Sequence, residues 1–242
     1  MILKQTSALA LIITFALPAY SERKADVTPV LRYSDDIEPE KGTDLSPSDE
    51  TCTIGKEQSP INLKQDKHLI KNDLSFSYGS IPLKLTDNKH TIKVIAEGEN
   101  FVIFDGEKYK LLQFHYHTPS EHTIDRKSFP VGIHFVHKND KGNYLVVGVL
   151  ATEGAENSEY TKIISNAPIK ANETFTPENV LIDLNKFIPL SEKAYQYAGS
   201  FTTLPCTEGV KWFVLETPVT LSKEQIDSLS TIHPNNNRPI QR

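Results

Sequence analysis

Gln113-Phe114-His115-Tyr116-His117, followed after a short loop by Val131-Gly132-Ile133-His134-Phe135-Val136-His137, is the stretch on which the fold and the chemistry both turn. Side chains in a β-strand alternate between faces, so Gln113, His115 and His117 share one face while Phe114 and Tyr116 take the other. Two imidazoles two residues apart stand roughly 6.5–7 Å apart along a strand that rises ~3.3 Å per residue. That spacing lets both lean onto one metal ion, although an isolated His-x-His is more often just a polar face. In the second segment Gly132, His134 and Val136 share one face, and Ile133, Phe135 and His137 share the other. Either His134 or His137 could meet the first pair. His137 adjoins the charged turn Lys138-Asn139-Asp140-Lys141-Gly142-Asn143 and reads as solvent-facing. His134 sits mid-strand among apolar neighbours and requires a partner. Three histidines from neighbouring strands, with no fourth protein ligand in evidence, describe an open tetrahedral zinc site that keeps one position for water.

Working outward, short runs of Val, Ile, Phe, Tyr and Leu alternate with Gly, Asn and Asp, which is the pattern of a sheet protein. Strands are expected over 74–78, 82–86, 91–96, 101–104, 109–117, 131–137, 144–151 and 211–215, with a hairpin at 138–143. Helical signals are confined to 157–166 and to 222–230, where Ser222 and Gln225 have capping-box spacing. There is no internal repeat, low-complexity tract or linker. The fold class is a single mostly-β domain.

Composition narrows the function. The 242 residues are 38% hydrophobic and 24% charged, enough apolar material for a large core. With 26 Lys+Arg against 31 Asp+Glu, the formal charge of −5 argues against a nucleic-acid partner, which would call for a basic stripe. Eight histidines are the unusual count. Besides those above, His122 in the connecting loop is a spare donor, and His68 and His233 need no function.

Residues 1–21 read as a signal peptide: Lys4, an apolar run from Ala8 to Leu17, then Pro18 and small residues, with cleavage expected after Ser21. That run is about ten residues, and a membrane-spanning helix needs roughly 20. No later segment could span a bilayer, so the mature chain is expected in the periplasm or outside the cell. Residues 22–51 read as an irregular N-terminal arm, and the catalytic domain as 52–242. In an oxidising compartment Cys52 and Cys206 most simply pair with each other, the alternative being two buried thiols.

Several blocks then carry a resemblance. Gly55-Lys56-Glu57-Gln58-Ser59-Pro60-Ile61-Asn62, Gln113 through His122, His134-Phe135-Val136-His137, and Gly199 through Trp212 occur in the order found in alpha-class carbonic anhydrases, and the chain resembles the exported bacterial type of that family from about Tyr33 to Arg238. The resemblance implies a large, mainly antiparallel twisted central sheet with a few short peripheral helices. It implies zinc as cofactor at the bottom of a conical cleft, held by His115, His117 and His134. The activity implied is reversible hydration of CO2 to bicarbonate and a proton by attack of zinc-bound hydroxide. Thr202 would orient the nucleophile by directing its proton to Glu121, and His90 would shuttle the proton out. Tyr33 and Thr203 would help organise the cleft, and Gln113 would accept from His115. Val136, Val146, Phe201, Val210 and Trp212 would form the apolar wall where CO2 rests.

One departure matters. Two residues before the third ligand the family usually has a glutamate that accepts from that imidazole; this chain has Gly132. A water could take its place in the room a glycine leaves. Losing such a partner typically costs about 10–100-fold in metal affinity or activity. Besides an active carbonate dehydratase, the sequence therefore leaves a zinc-binding module with weakened turnover, and a zinc esterase side activity. Lys93 is expected to point toward the cleft and to affect anion binding. The oligomeric state, monomer or homodimer, is not set by the sequence.

Overall fold

The computed structural model describes residues 50–168 and 172–241. The expected signal peptide, most of the arm and Tyr33 lie outside the described residues. Seven strands position everything that follows: β1 (Leu85–Asp87), β2 (Ile92–Ile95), β3 (Glu107–His117), β4 (Val131–Lys138), β5 (Tyr144–Glu153), β6 (Lys193–Ser200) and β7 (Glu208–Leu215). They run β1-β2-β3-β4-β5-β7-β6 across a 12-stranded sheet, with short strands at its edges. The sheet is mostly antiparallel, but it is mixed: β5 pairs in parallel with β7 and with Val219–Leu221.

β4 pairs with β3 on one side and β5 on the other, so it is buried along nearly its whole length. A strand flanked on both edges and covered on both faces must be apolar throughout, apart from groups with internal partners. Its alternation divides two cores. Ile133 and Phe135 face the larger one, with Phe114, Val147, Val149, Phe187 and Phe213. Val136 faces a smaller cluster with Leu63, Val146, Val210 and Trp212.

The strand expected from sequence over 101–104 is present with those bounds, and those expected over 109–117, 131–137 and 144–151 are present and each longer at one end. The one expected over 82–86 is two pieces, Ser80–Pro82 and β1, because Leu83 N–H turns away to the carbonyl of Val180. β6 was not expected: Lys-Ala-Tyr-Gln-Tyr-Ala-Gly-Ser lacks β-branched residues, and its place between β7 and Leu69–Lys71 supplies the ladder instead. The two principal helices are α1 (Ser158–Ser165), capped by Asn157, and α2 (Lys223–Ile232), where Ser222 and Gln225 form the expected capping box. Cys52 and Cys206 are joined, closing a loop with a sequence separation of 154. A cross-link of that span is worth roughly 4–5 kcal/mol in the chain-entropy model of the unfolded state.

His137 is not solvent-facing. It has 0% exposure, because its strand face belongs to the large core, where it stacks on Tyr78. Leu145 C=O can only accept, so Nδ1 carries the proton and donates at 3.2 Å, leaving Nε2 to accept from the Tyr78 hydroxyl at 2.6 Å. Burial pulls its pKa from 6.5 down to about 4. The folded-state value lies below the unfolded one, so the unfolded chain takes up the proton first as pH falls. Stability from this residue is therefore full above about pH 6.5 and is lost between there and about pH 4. Urea melts at pH 7.5 and 4.5 should show the native protein losing about 3 kcal/mol more than His137→Phe over that interval. Parallel losses would mean that His137 does not drive the acid sensitivity.

Candidate metal centre

The register of β3 against β4 sets His134 directly opposite His115 and Gly132 opposite His117. The three rings pack within 4.7–5.4 Å centroid to centroid. Their candidate ligand nitrogens all lie within 4.8 Å of one another, and all three residues are buried. Burial pushes the pKa of His115 and His134 well below 6.5, with neighbouring imidazoles adding to the effect. A metal requires neutral imidazole, so burial prepares the ligands rather than opposing them.

Hydrogen bonds fix which nitrogen faces inward. Gln113 Oε1 lies 2.9 Å from His115 Nδ1, and the backbone oxygen of Asn236 lies 2.8 Å from His117 Nδ1. Oxygen acceptors there put the proton on Nδ1 and leave the Nε2 lone pair for a cation. His117 Nε2 is buried without a hydrogen-bond partner, which is the vacancy in polar satisfaction that a metal ion would fill. The donor set therefore fits zinc. His134 differs: neither ring nitrogen has a hydrogen bond among the described residues, and Glu121 Oε2 lies 3.7 Å from Nδ1. A Cβ at position 132 would come within 3.1 Å of Ser120 Cα and Cβ, tighter than ordinary contact.

Glu121 lies beneath the histidines, with Oε2 3.5 Å from His117 Nε2, and its Oε1 accepts from the Arg238 N–H at 2.7 Å. Burial raises its pKa, opposed by His117, the Arg238 N–H and a side-chain hydrogen bond from Thr202. Thr202 is held by what precedes it. Ser59 Oγ accepts from the Ser200 N–H and the Tyr197 hydroxyl, Ser200 Oγ accepts from the Ser59 N–H, and Trp212 Nε1–H donates to the Ser200 carbonyl. Gly199 allows that approach, since a Cβ there would collide with the Ser59 hydroxyl.

Above the histidines opens a cavity of about 230 Å³. Of the residues expected from sequence, Gln113, His115, His134, Val136, Val146, Phe201, Thr202, Thr203 and Trp212 line it. Val210 is buried behind the wall in the same apolar cluster. His117, Glu121 and Gly132 lie below the floor, and Cys206 is buried four residues beyond Thr202. His90 is exposed, on the turn whose neighbours Asn88 and Thr91 line the rim. His122 hydrogen-bonds the Tyr197 hydroxyl at 2.7 Å, and burial lowers its pKa to about 3.

This assembly matches a known family: the model of the eukaryotic-type carbonic anhydrases fits residues 44–242. The chain belongs to the alpha-type carbonic anhydrase family. A carbonic anhydrase of Pectobacterium carotovorum is 38% identical over 213 residues, covering 86% of each chain. The alpha-carbonic anhydrase of Thermovibrio ammonificans, solved with sulfanilamide, superposes with a TM-score of 0.75 at 39% identity, covering 82% of this chain and 88% of that one. The alpha-carbonic anhydrase of Photobacterium profundum superposes with a TM-score of 0.76 at 36% identity, over 81% and 89% of the two chains.

Two residues of this carbonic anhydrase escaped the sequence reading. Besides its carbonyl, Asn236 uses its side chain to accept from Thr118 N–H and to donate to the carbonyls of His90 and Tyr116. Arg238 is 1% exposed and donates to Gln58, Ser59 and Cys52. In sequence they belong to the polar run Asn235-Asn236-Asn237-Arg238, which carries no local sign of a site. Asn236→Ala should loosen the segment that orients His117 and weaken zinc binding about tenfold, read by competition with a chelator; unchanged zinc affinity would show that the backbone carbonyl suffices without the side chain.

Proposed function

We propose that this carbonic anhydrase catalyses the reversible hydration of CO2 to bicarbonate and a proton outside the cytoplasm, with zinc held by His115, His117 and His134. The observation that carries the reading is the convergence of three imidazoles, two of them with the proton held on the outer nitrogen, with His115 and His134 lining a cleft that has one apolar wall and His117 just beneath it. When bound, zinc lowers the pKa of water toward neutrality and so supplies the nucleophile.

The chain's own residues do the rest. A Thr202 hydroxyl whose proton is committed to Glu121 can only accept from the cleft side, which fixes how an attacking oxygen presents its lone pair. Val136, Val146, Phe201 and Trp212 offer CO2 a surface without hydrogen bonds, so nothing competes with its turning toward the nucleophile. The proton leaves toward the rim, where His90 stands exposed and histidine is the side chain suited to exchange with solvent near neutrality. Tyr33 and Thr203 keep the supporting roles implied by the resemblance. Export is supported by the Cys52–Cys206 bridge. Among the described residues no helix is long and apolar enough to cross a membrane.

Stopped-flow CO2 hydration, with zinc measured on the same sample, should give a rate far above background at one zinc per chain. Stoichiometric zinc with a background rate would overturn the proposal in favour of a binding module. That second reading is favoured by one observation, the absence of a hydrogen bond to His134 above Gly132. Gly132→Glu should slow zinc loss to a chelator by about tenfold or more. Gly132→Ala carries the same Cβ contact without the carboxylate and should not. If Gly132→Glu improves neither zinc retention nor rate, the glycine is not a defect of the site.

A further inference from the structure

His233, for which the sequence suggested no task, ends α2 with its backbone and its ring all engaged. Its N–H closes the last turn on the Leu229 carbonyl at 3.3 Å, and its carbonyl accepts from the Thr118 hydroxyl at 3.0 Å. The ring nitrogen Nε2 lies 3.2 Å from Asp87 Oδ1, in electrostatic contact but off the line of a hydrogen bond. Both side chains are buried. Burial alone would raise the Asp87 pKa, but the facing His233 and the Lys89 N–H hold it below the ordinary carboxylate value.

The turn that begins at Asp87 does not need the ring. Asp87 Oδ1 already accepts from the Lys89 N–H at 2.7 Å, and Asn88 Oδ1 accepts from the N–H groups of His90 and Thr91 at 3.1 and 2.8 Å. Nor is a buried polar pair an effective anchor for its own sake, since apolar residues of similar volume often hold two elements together at least as well. What a facing pair supplies is register: only one placement of the segment along the turn brings the ring to the carboxylate.

The two elements so joined both serve the site. Asp87 ends β1 and opens the turn that carries His90. Three residues past His233, Asn236 presents its carbonyl to His117 Nδ1 at 2.8 Å and its side-chain NH2 to the His90 carbonyl at 2.9 Å. The segment therefore meets the turn at two points, His233 and Asn236, and the second of these also orients a candidate metal ligand.

We propose that His233 is a positioning residue: by facing Asp87 it sets the 233–236 segment against the His90 turn, so that one contact aligns both the exit of the proton and the ring of His117. The inference rests on the proposed function for the roles of His90 and of bound zinc.

Two readouts on the zinc-loaded protein test it. Proton NMR follows the Nδ1–H of His117, held by Asn236, with the Nδ1–H of His115, held by Gln113, as the internal control. His233→Phe keeps the ring shape and removes its nitrogens. It should speed solvent exchange of the His117 proton about tenfold, the size of one polar contact, and leave the His115 proton unchanged. In CO2 hydration it should lower kcat about threefold to tenfold, a part of what a placed proton-transfer group contributes, while kcat/KM moves by less than about twofold. His233→Gln, whose amide can donate to Asp87, should restore most of both. Asp87→Asn combined with His233→Phe leaves no unpaired carboxylate buried and keeps the acceptor for Lys89. This double variant should behave as His233→Phe does, and it replaces that variant if the single change does not fold. The proposal is overturned if the His117 proton exchanges as in the native chain, if both ring protons accelerate equally, or if kcat/KM falls as far as kcat. If the native chain itself hydrates no CO2, the ring-proton comparison still decides the role of His233.

Discussion

The pairing of β3 with β4 is the constraint from which the site follows. With His134 opposite His115, three imidazoles fall on one face of the sheet and Phe114, Ile133 and Phe135 on the other. A slip of one residue would put Phe135 and Ile133 where His134 and Gly132 stand, and would turn these apolar side chains into the cleft. The buried faces on both sides hold that register, so the core and the metal centre are specified by the same hydrogen-bond ladder. A histidine cluster is tolerable at this depth because each ring is either satisfied by an oxygen acceptor or aimed at the position of a cation.

The support beneath the histidines is uneven. His115 is oriented from its own strand, two residues away, and His117 from a segment 119 residues later. His134 is oriented only by packing, against Trp212, His117 and His122. Ring packing limits tilt, but it does not raise the basicity of the far nitrogen as a hydrogen-bonded carboxylate would. Gly132 therefore separates two tasks that one residue commonly combines, placing a ligand and tuning it.

Much of this was legible in the sequence because strand alternation is a local rule. The shared face of Gln113, His115 and His117, the strand bearing His134, the hairpin at 138–143 and the capping box at Ser222 all follow from spacing within a dozen residues. His137 was misread because its neighbour in sequence is a charged turn while its neighbour in space is Tyr78. β6 was missed because its stability comes from the strands on either side rather than from its composition. Thr202 and Glu121 could be named only through the family resemblance, and Asn236 and Arg238 not at all. Their partners lie more than a hundred residues away, beyond the reach of periodicity.

The run from Asn236 to Arg238 has a temporal meaning. It supplies the acceptor for His117 and the donor to Glu121, and Arg238 also reaches back to Cys52 and Ser59 across 186 and 179 residues. A nascent chain can complete β3, β4 and β5 while these residues are still unmade. It would then hold three histidines but lack the groups that orient one of them and anchor the carboxylate below. The polar support of the histidine cluster is thereby completed only once synthesis has passed the last strand.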